Sequence, residues 1–381
     1  MNLSVIRAAR EGLRATLPPT PLAWPESLRR PGGARIGLKL ENLQMTGSFK
    51  ERGALWKLLH LTGPQRRRGV ITASAGNHAQ AVAYHARRLR IACRVVMPAA
   101  TPLIKVTSVA RHGAAIVLHG ASFDAAVTHA RGLQRRSGAV YVHGYDDPLV
   151  IAGQGTLGLE LLEEAPDLNA VVVPVGGGGL IAGVAAAIKA LRPRVKVWGV
   201  RPASLDTLAD GIAVKALGVR TRVLVRRLVD GIVTVGDDEI ASAILLLAER
   251  EKTIAEGAGA AALAAILAGR IRTRGRVVAL VSGGNLDMNL LSRIIERGLA
   301  RDGRRQRLRV ELPDVPGGLH RMIGEIAALR GNILDVRHDR AFIHGRVGTT
   351  AVDVILETRG RDHIRAITRR LTRAGYAVRP G

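Results

Sequence analysis

Cysteine is nearly absent: Cys93 is the only one in the chain, so no disulfide can close within it and nothing points to an oxidising compartment. It lies in the apolar run Ile91-Ala92-Cys93-Arg94-Val95-Val96 and is expected to be a buried structural thiol. Aromatic residues are almost as rare, with three Trp, four Tyr and three Phe among 381 residues. The cores must therefore be built from Ala, Val, Leu and Ile, which suits helices packed on parallel strands. No apolar run reaches the roughly 18 residues that a membrane-spanning helix requires. The opening MNLSVIRAAREGLRATLPPTPL also lacks the apolar centre of a signal peptide, so a cytoplasmic protein with no membrane partner is expected. Lysine is scarce too, 8 against 49 arginines within a formal net charge of +26. The arginines fall in short scattered groups such as Arg66 to Arg68, Arg135-Arg136 and Arg304-Arg305, without the aromatic interleaving of a single-strand binder. A solvated basic surface is expected, and nucleic acid is not an expected partner.

What is present is 47% hydrophobic residues, enough for more than one compact domain. Val70 to Ala73, Arg94 to Met97, Ala170 to Pro174 and Val277 to Val281 are short apolar runs that stop at small or turn residues, as buried strands do at their carboxyl ends. Helix-like segments separate them: His78 to Arg90, Phe123 to Arg136, Leu180 to Leu191, Asp237 to Lys252 and Gly259 to Ala268. The alternation predicts a parallel α/β sheet with ligands bound outside the strand carboxyl ends. Residues 301–307 are charged, lack apolar periodicity and read as a linker. Beyond them, residues 308–381 read strand, helix, strand, strand, helix, strand, the βαββαβ order of a small ferredoxin-like sandwich.

Three loops at predicted strand ends could carry chemistry. Gly176-Gly177-Gly178-Gly179 joins a strand to a helix, where converging N–H groups and the helix dipole suit a phosphate. It has neither GxGxxG nor GK[ST], so a mononucleotide or a single phosphate ester fits better than a dinucleotide. Ser74-Ala75-Gly76-Asn77-His78 opens a helix and could hold a carboxylate, or merely cap that helix. Val281-Ser282-Gly283-Gly284-Asn285 places a hydroxyl at a strand end. Thr46-Gly47-Ser48-Phe49-Lys50 delivers an amine to the start of a helix running through Leu55, Leu58 and Leu59. An amine near a phosphate cradle suggests a Schiff base with pyridoxal phosphate.

ENLQMTGSFKERGA at 41–54, TASAGNHAQAVAYHA at 72–86, IAGQGTLGLEL at 151–161, VPVGGGGLIAG at 173–183 and VSGGNLDMNLL at 281–291 resemble the threonine dehydratases (threonine ammonia-lyases). These are pyridoxal-phosphate enzymes of fold type II, the tryptophan-synthase β-subunit fold. The resemblance implies a catalytic domain over 1–300 with a small subdomain at about 45–147 inserted in the large one, followed by an ACT-like regulatory domain at 308–381. It implies that Lys50 bonds the cofactor and, once released, removes the substrate α-proton. Phe49 would pack beside the cofactor ring, Asn77 would bond its 3-hydroxyl, Gly176 to Gly179 its phosphate, and Ser282 its pyridine nitrogen. Ser74, Asn77 and His78 would grip the substrate carboxylate. The implied reaction is loss of water from L-threonine or L-serine to give a 2-oxo acid and ammonia.

Departures from the family pattern matter as well. Ala75 stands where serine racemases carry the opposite-face base, so racemisation is not expected. Arg201 follows Gly199-Val200 where some relatives carry a metal-binding glutamate, so no metal is expected there. Glu256-Gly257-Ala258-Gly259 keeps the acid of a Glu-Pro-Ala-Gly stretch without its proline, and Glu256 is given no role. In the tail, Asp314, Gly317, Leu319, Asn332 and Ile333 mark the region where an amino-acid effector would bind. Such tails imply a homodimer or homotetramer. The alternatives are a lyase for another β-hydroxy amino acid such as 3-hydroxyaspartate, a serine racemase/dehydratase, and a non-catalytic amino-acid sensor or nucleic-acid binder.

Overall fold

The computed structural model describes residues 1–29, 33–272, 274–339 and 348–381. The chain divides into two compact units, Met1–Leu286 and Asp287–Gly381. Among the described residues no helix is long and apolar enough to cross a membrane.

The first unit holds two sheets. Five strands of its larger sheet, Arg35–Leu40, Arg276–Val281, Leu168–Pro174, Lys196–Pro202 and Gly231–Val235, are parallel neighbours in that order. The two-residue strand Leu22–Ala23 adds an antiparallel edge beside Arg35–Leu40. Val277 to Val281 and Ala170 to Val173 are buried on both faces, which is why these strands read as continuous apolar runs rather than alternating ones. The smaller sheet is wholly parallel, with Ala115–Leu118, Cys93–Met97, Val70–Ala73 and Val140–Tyr141 in that order. In sequence it falls between the larger sheet's strands Arg35–Leu40 and Leu168–Pro174. Cys93 is half-buried in it, and burial pushes its thiol up to about 12, so it stays protonated.

Two helices fix where the chemistry can occur. Pro148–Glu164 starts at Asp147, whose Oδ1 accepts from the N–H groups of Leu149 and Val150, and its proline occupies the first turn, where no donor is lost. Lys50–Leu59 lies across it with Ala54, Leu55 and Leu58 buried. The crossing is close because glycines meet: a Cβ at Gly153 would come within 2.6 Å of the Arg52 carbonyl oxygen and 2.7 Å of Gly53 Cα. Leu58 is fully enclosed, worth about 1.5–3 kcal/mol of burial.

The second unit is a four-stranded antiparallel sheet in the order Asn332–Asp339, Thr349–Glu357, Arg305–Pro313, Ala377–Pro380. Leu308, Val310 and Leu312 alternate inward and meet Val352, Val354 and Leu356, the period-two pattern of a sheet with one covered face. Gly318–Ala328 covers that face with Met322 and Ile326, and Arg361–Arg373 with Ile367 and Leu371 at four-residue spacing. The expected linker at 301–307 is shorter in the structure. The helix Met288–Arg301 groups with this second unit, and the strand begins at Arg305. Arg305 and Arg307 already pair with Glu357 and Ile355, but no apolar residue alternates with them before Leu308, so they read as linker.

Candidate active site

Thr46 to Lys50 is zipped to the carboxyl end of strand Arg276–Val281. Gly284 N donates to Gly47 O (2.9 Å), Phe49 N to Ser282 O (3.1 Å), and Asn285 Nδ2 to Thr46 O (2.7 Å). These bonds deliver Lys50 to the edge of the larger sheet as the first residue of its helix. Two residues on, Arg52 is enclosed and bonds Glu41 through Nε and Nη2 (both 2.7 Å) and Glu160 through Nη1 and Nη2 (2.6 and 2.9 Å). Lys39 Nζ joins Glu160 at 3.1 Å and Glu164 at 2.8 Å, and Arg10 joins Glu160 at 2.5 Å. Three cations thus meet three carboxylates, and the two attractions at Arg52 outweigh burial and raise its pKa.

Lys50 has no such company. Its Nζ donates to Gly144 O at 2.9 Å and lies 5.0 Å from the Phe49 ring centre. Burial lowers its pKa to about 8, with the Glu256 carboxylate pulling the other way. The amine is thus far easier to deprotonate than an exposed lysine, which a nucleophile or base requires.

Gly144 leads into Tyr145, which closes one side of the glycine loop. A Cβ on Gly177 would lie 2.4 Å from the Tyr145 ring, and one on Gly179 would lie 2.9 Å from Tyr145 Cα. Gly178 is left-handed (φ +92°) and caps the 13-residue helix Gly179–Leu191. Thr221 Oγ1 at 2.7 Å and Gly218 N at 3.2 Å hold the Gly177 carbonyl. Among the described residues, the N–H groups of Gly176 to Gly179 have no acceptor. Unpaired donors at a helix start, packed too tightly for side chains, suit a phosphate ester. The site's residues therefore fit a phosphorylated aldehyde cofactor.

The helix Asn77–Arg88 opens toward the same region, and a Cβ on Gly76 would meet nothing within 4 Å. Ser74 Oγ accepts from Gly76 N at 3.3 Å. Asn77 Nδ2 donates to Glu256 Oε1 at 2.6 Å, and Asn77 Oδ1 accepts from Asn285 Nδ2 at 2.7 Å. Burial and nearby Asp210 raise the Glu256 pKa to about 7, against the opposing effects of Asn77, Lys105 and Lys50. His78 is buried with Nε2 3.0 Å from Val142 O, so Nε2 carries the proton. Burial, then Lys50, lower its pKa to about 3. Its imidazole is neutral and occupied, leaving the backbone N–H as what His78 can offer a carboxylate. Ser282 is buried, with Oγ 3.4 Å from Ala258 O, a long contact that leaves the hydroxyl available.

Lys50, Phe49, Asn77, Ser282 and the glycine loop are thus linked through Gly144, Tyr145 and the 282–285 turn. Glu256 was noted from sequence as the acid of its glycine-rich stretch but given no role, Asn285 sits inside a recognised motif without a role of its own, and nothing local marks Gly144 or Tyr145. Arg201 Nη2 donates to Val214 O at 2.5 Å. Asp314, Gly317, Leu319, Asn332 and Ile333 lie in the second unit. Gly317 is a left-handed helix cap (φ +80°), Leu319 and Ile333 pack against the core, and Asn332 Nδ2 bonds Glu357 Oε2 at 2.9 Å.

Residues 13–283 match the family described as "Pyridoxal-phosphate dependent enzyme". An L-threonine ammonia-lyase of Thermotoga maritima is 44% identical over 100% of this chain and 99% of its own. The processed form of threonine deaminase isoform 2 from Solanum lycopersicum superimposes with a TM-score of 0.72 at 38% identity, covering 77% of this chain and 87% of that one. Maize serine racemase superimposes at 0.73 with 32% identity, over 79% and 98%.

Proposed function

Since the chain belongs to the pyridoxal-phosphate dependent enzymes, and is a lyase of that family, we propose that it releases ammonia from L-threonine, and from L-serine, by eliminating the β-hydroxyl, leaving 2-oxobutanoate or pyruvate. The observation that carries this reading is the Lys50 amine, desolvated and without a carboxylate partner among the described residues, joined through Gly144-Tyr145 to a glycine loop with unpaired N–H groups.

Bound pyridoxal phosphate supplies an aldehyde carbon that condenses with amines and a conjugated ring that accepts electrons. Lys50 is the chain's amine for that condensation. Gly176 to Gly179 would hold the phosphate, Phe49 would flank the ring, and Asn77 would face the ring hydroxyl. Once free of the cofactor, the Lys50 amine would take the substrate α-proton as general base. Ser74, Asn77 and the His78 N–H, at the start of the helix Asn77–Arg88, orient the substrate carboxylate. Ser282 offers the ring nitrogen a neutral hydroxyl, which does not enforce its protonation as a carboxylate would. A hydroxyl at Ser282 would thereby suit loss of the β-hydroxyl. One water leaves in the elimination and one is taken up in hydrolysis, so threonine is converted to 2-oxobutanoate plus ammonia with no net change in water.

Ala75 cannot supply a base from the opposite face, which sets this reading apart from a racemase. Measuring ammonia and 2-oxo acid release from threonine, serine and 3-hydroxyaspartate tests the reading. No 2-oxobutanoate from threonine would overturn it. The βαββαβ unit would act as an ACT-like regulatory domain in a homodimer or homotetramer. An amino-acid effector would bind around Asp314, Gly317, Leu319, Asn332 and Ile333, which calorimetry with isoleucine and valine tests.

A further inference from the structure

An asparagine amide has one acceptor and two donors, and rotating it half a turn exchanges them. At Asn77 the surroundings remove that freedom, starting from a backbone carbonyl that can only accept. Thr46 O accepts from Asn285 Nδ2 at 2.7 Å, which fixes the Asn285 amide. Its second N–H then meets Asn77 Oδ1 at 2.7 Å, which fixes the Asn77 oxygen. The Asn77 nitrogen must face the other way, where Glu256 Oε1 accepts at 2.6 Å. One Asn77 N–H remains unspent.

The backbone is shaped for this contact. Glu256 N donates to Gly283 O at 3.1 Å, and a Cβ on Gly283 would lie 2.4 Å from Glu256 Oε1 and 3.0 Å from Asn77 Nδ2. Only glycine at that position lets the carboxyl and the amide meet. Asp210, Lys105 and Lys50 are the charged groups that act on Glu256, and Asp210 and Lys105 pair with each other at 2.5 Å.

We propose that Glu256 and Asn285 are positioning residues that fix the Asn77 amide so that its one remaining N–H serves the ring oxygen of the cofactor. This rests on the reading that Asn77 faces the cofactor's hydroxyl. A fixed donor there stabilises the ionised form of that oxygen, whereas a freely rotating amide presents donor and acceptor in turn. The long-wavelength to short-wavelength absorbance ratio of the bound cofactor reports that balance.

The test measures this ratio and the cofactor dissociation constant in reconstituted holoenzyme for Asn77→Ala, Glu256→Ala, Glu256→Gln and Asn285→Ala, with Glu256→Ala repeated in the Asn77→Ala background. Expected is a several-fold fall in the ratio for Asn77→Ala, Glu256→Ala and Asn285→Ala. Glu256→Gln, which still accepts, should recover the wild-type ratio, and Glu256→Ala should have no further effect once Asn77 is gone. If Asn77→Ala shifts the ratio while Glu256→Ala and Asn285→Ala do not, or if the Glu256 effect persists in the Asn77→Ala background, the inference fails and the placement of Asn77 stands. If Asn77→Ala itself changes nothing, that placement fails and the inference with it. Should Glu256→Ala not fold, Asn285→Ala alone decides, because it frees the same amide from its other side.

Discussion

Lys50 and Arg52 are two cations on the first turn of one helix with opposite surroundings. The Arg52 guanidinium is divided between Glu41 and Glu160 and is held ionised, whereas Lys50 donates to a backbone carbonyl, makes no ion pair among the described residues and is pushed toward neutrality. A buried charge must be paired or must give up its proton, and the fold applies the first solution at Arg52 and the second at Lys50. The locked cation anchors the helix from which the easily deprotonated one projects.

The largest expected effect comes from removing the reactive member. Lys50→Ala should lower kcat by at least about 10²–10⁴-fold, the usual loss of a positioned base, while the apo protein at neutral pH becomes more resistant to urea. Arg52→Met should show the reverse emphasis, losing about 3–5 kcal/mol of unfolding free energy in a denaturant titration because Glu41 and Glu160 are left short of a buried partner. At the cradle, Gly177→Ala sets a Cβ against the Tyr145 ring. Overpacking of about 1–3 kcal/mol should appear as weaker cofactor binding in equilibrium dialysis.

A pH series on the apo protein separates the two kinds of buried charge. The raised Glu256 pKa means the folded state holds a proton that the unfolded state releases, so its contribution to stability is lost as pH rises from 4.5 to about 7. The lowered Lys50 pKa acts in the opposite sense, and stability is regained as pH rises from about 8 to 10.5. Glu256→Gln should flatten the first limb and Lys50→Met the second, both read from urea midpoints. The smallest effect is expected at the exposed Lys105–Asp210 pair. Lys105→Ala should change stability by less than about 1 kcal/mol, a larger change being evidence that this pair does more than an ordinary surface ion pair.

Strands that carry their own evidence, such as Val70–Ala73 and Arg276–Val281, were legible because burial on both faces writes an unbroken apolar run. Lys196–Pro202 has Lys196 and Arg201 near its ends and Gly199 at its centre, and Val140–Tyr141 is two residues long, so neither writes a continuous apolar run. Both are strands because parallel neighbours complete their ladders. The start of the C-terminal sheet was misplaced for a related reason: Arg305 and Arg307 are strand residues by virtue of their partners in Thr349–Glu357.

The loops of the candidate site were legible because the chemistry of glycines, a cap and a strand end is local. Glu256 was not, because its meaning lies in Asn77, 179 residues away. His78 was expected to grip a carboxylate, but the backbone around Val142 occupies its imidazole. The sequence by itself determined the cofactor class and put an amine, Lys50, at a helix start, since turn geometry and a helix start depend on a few neighbouring residues. Only the tertiary structure decided which buried charge is paired, which amide is fixed and where the second unit begins, because desolvation and ion pairing depend on neighbours brought together from distant parts of the chain.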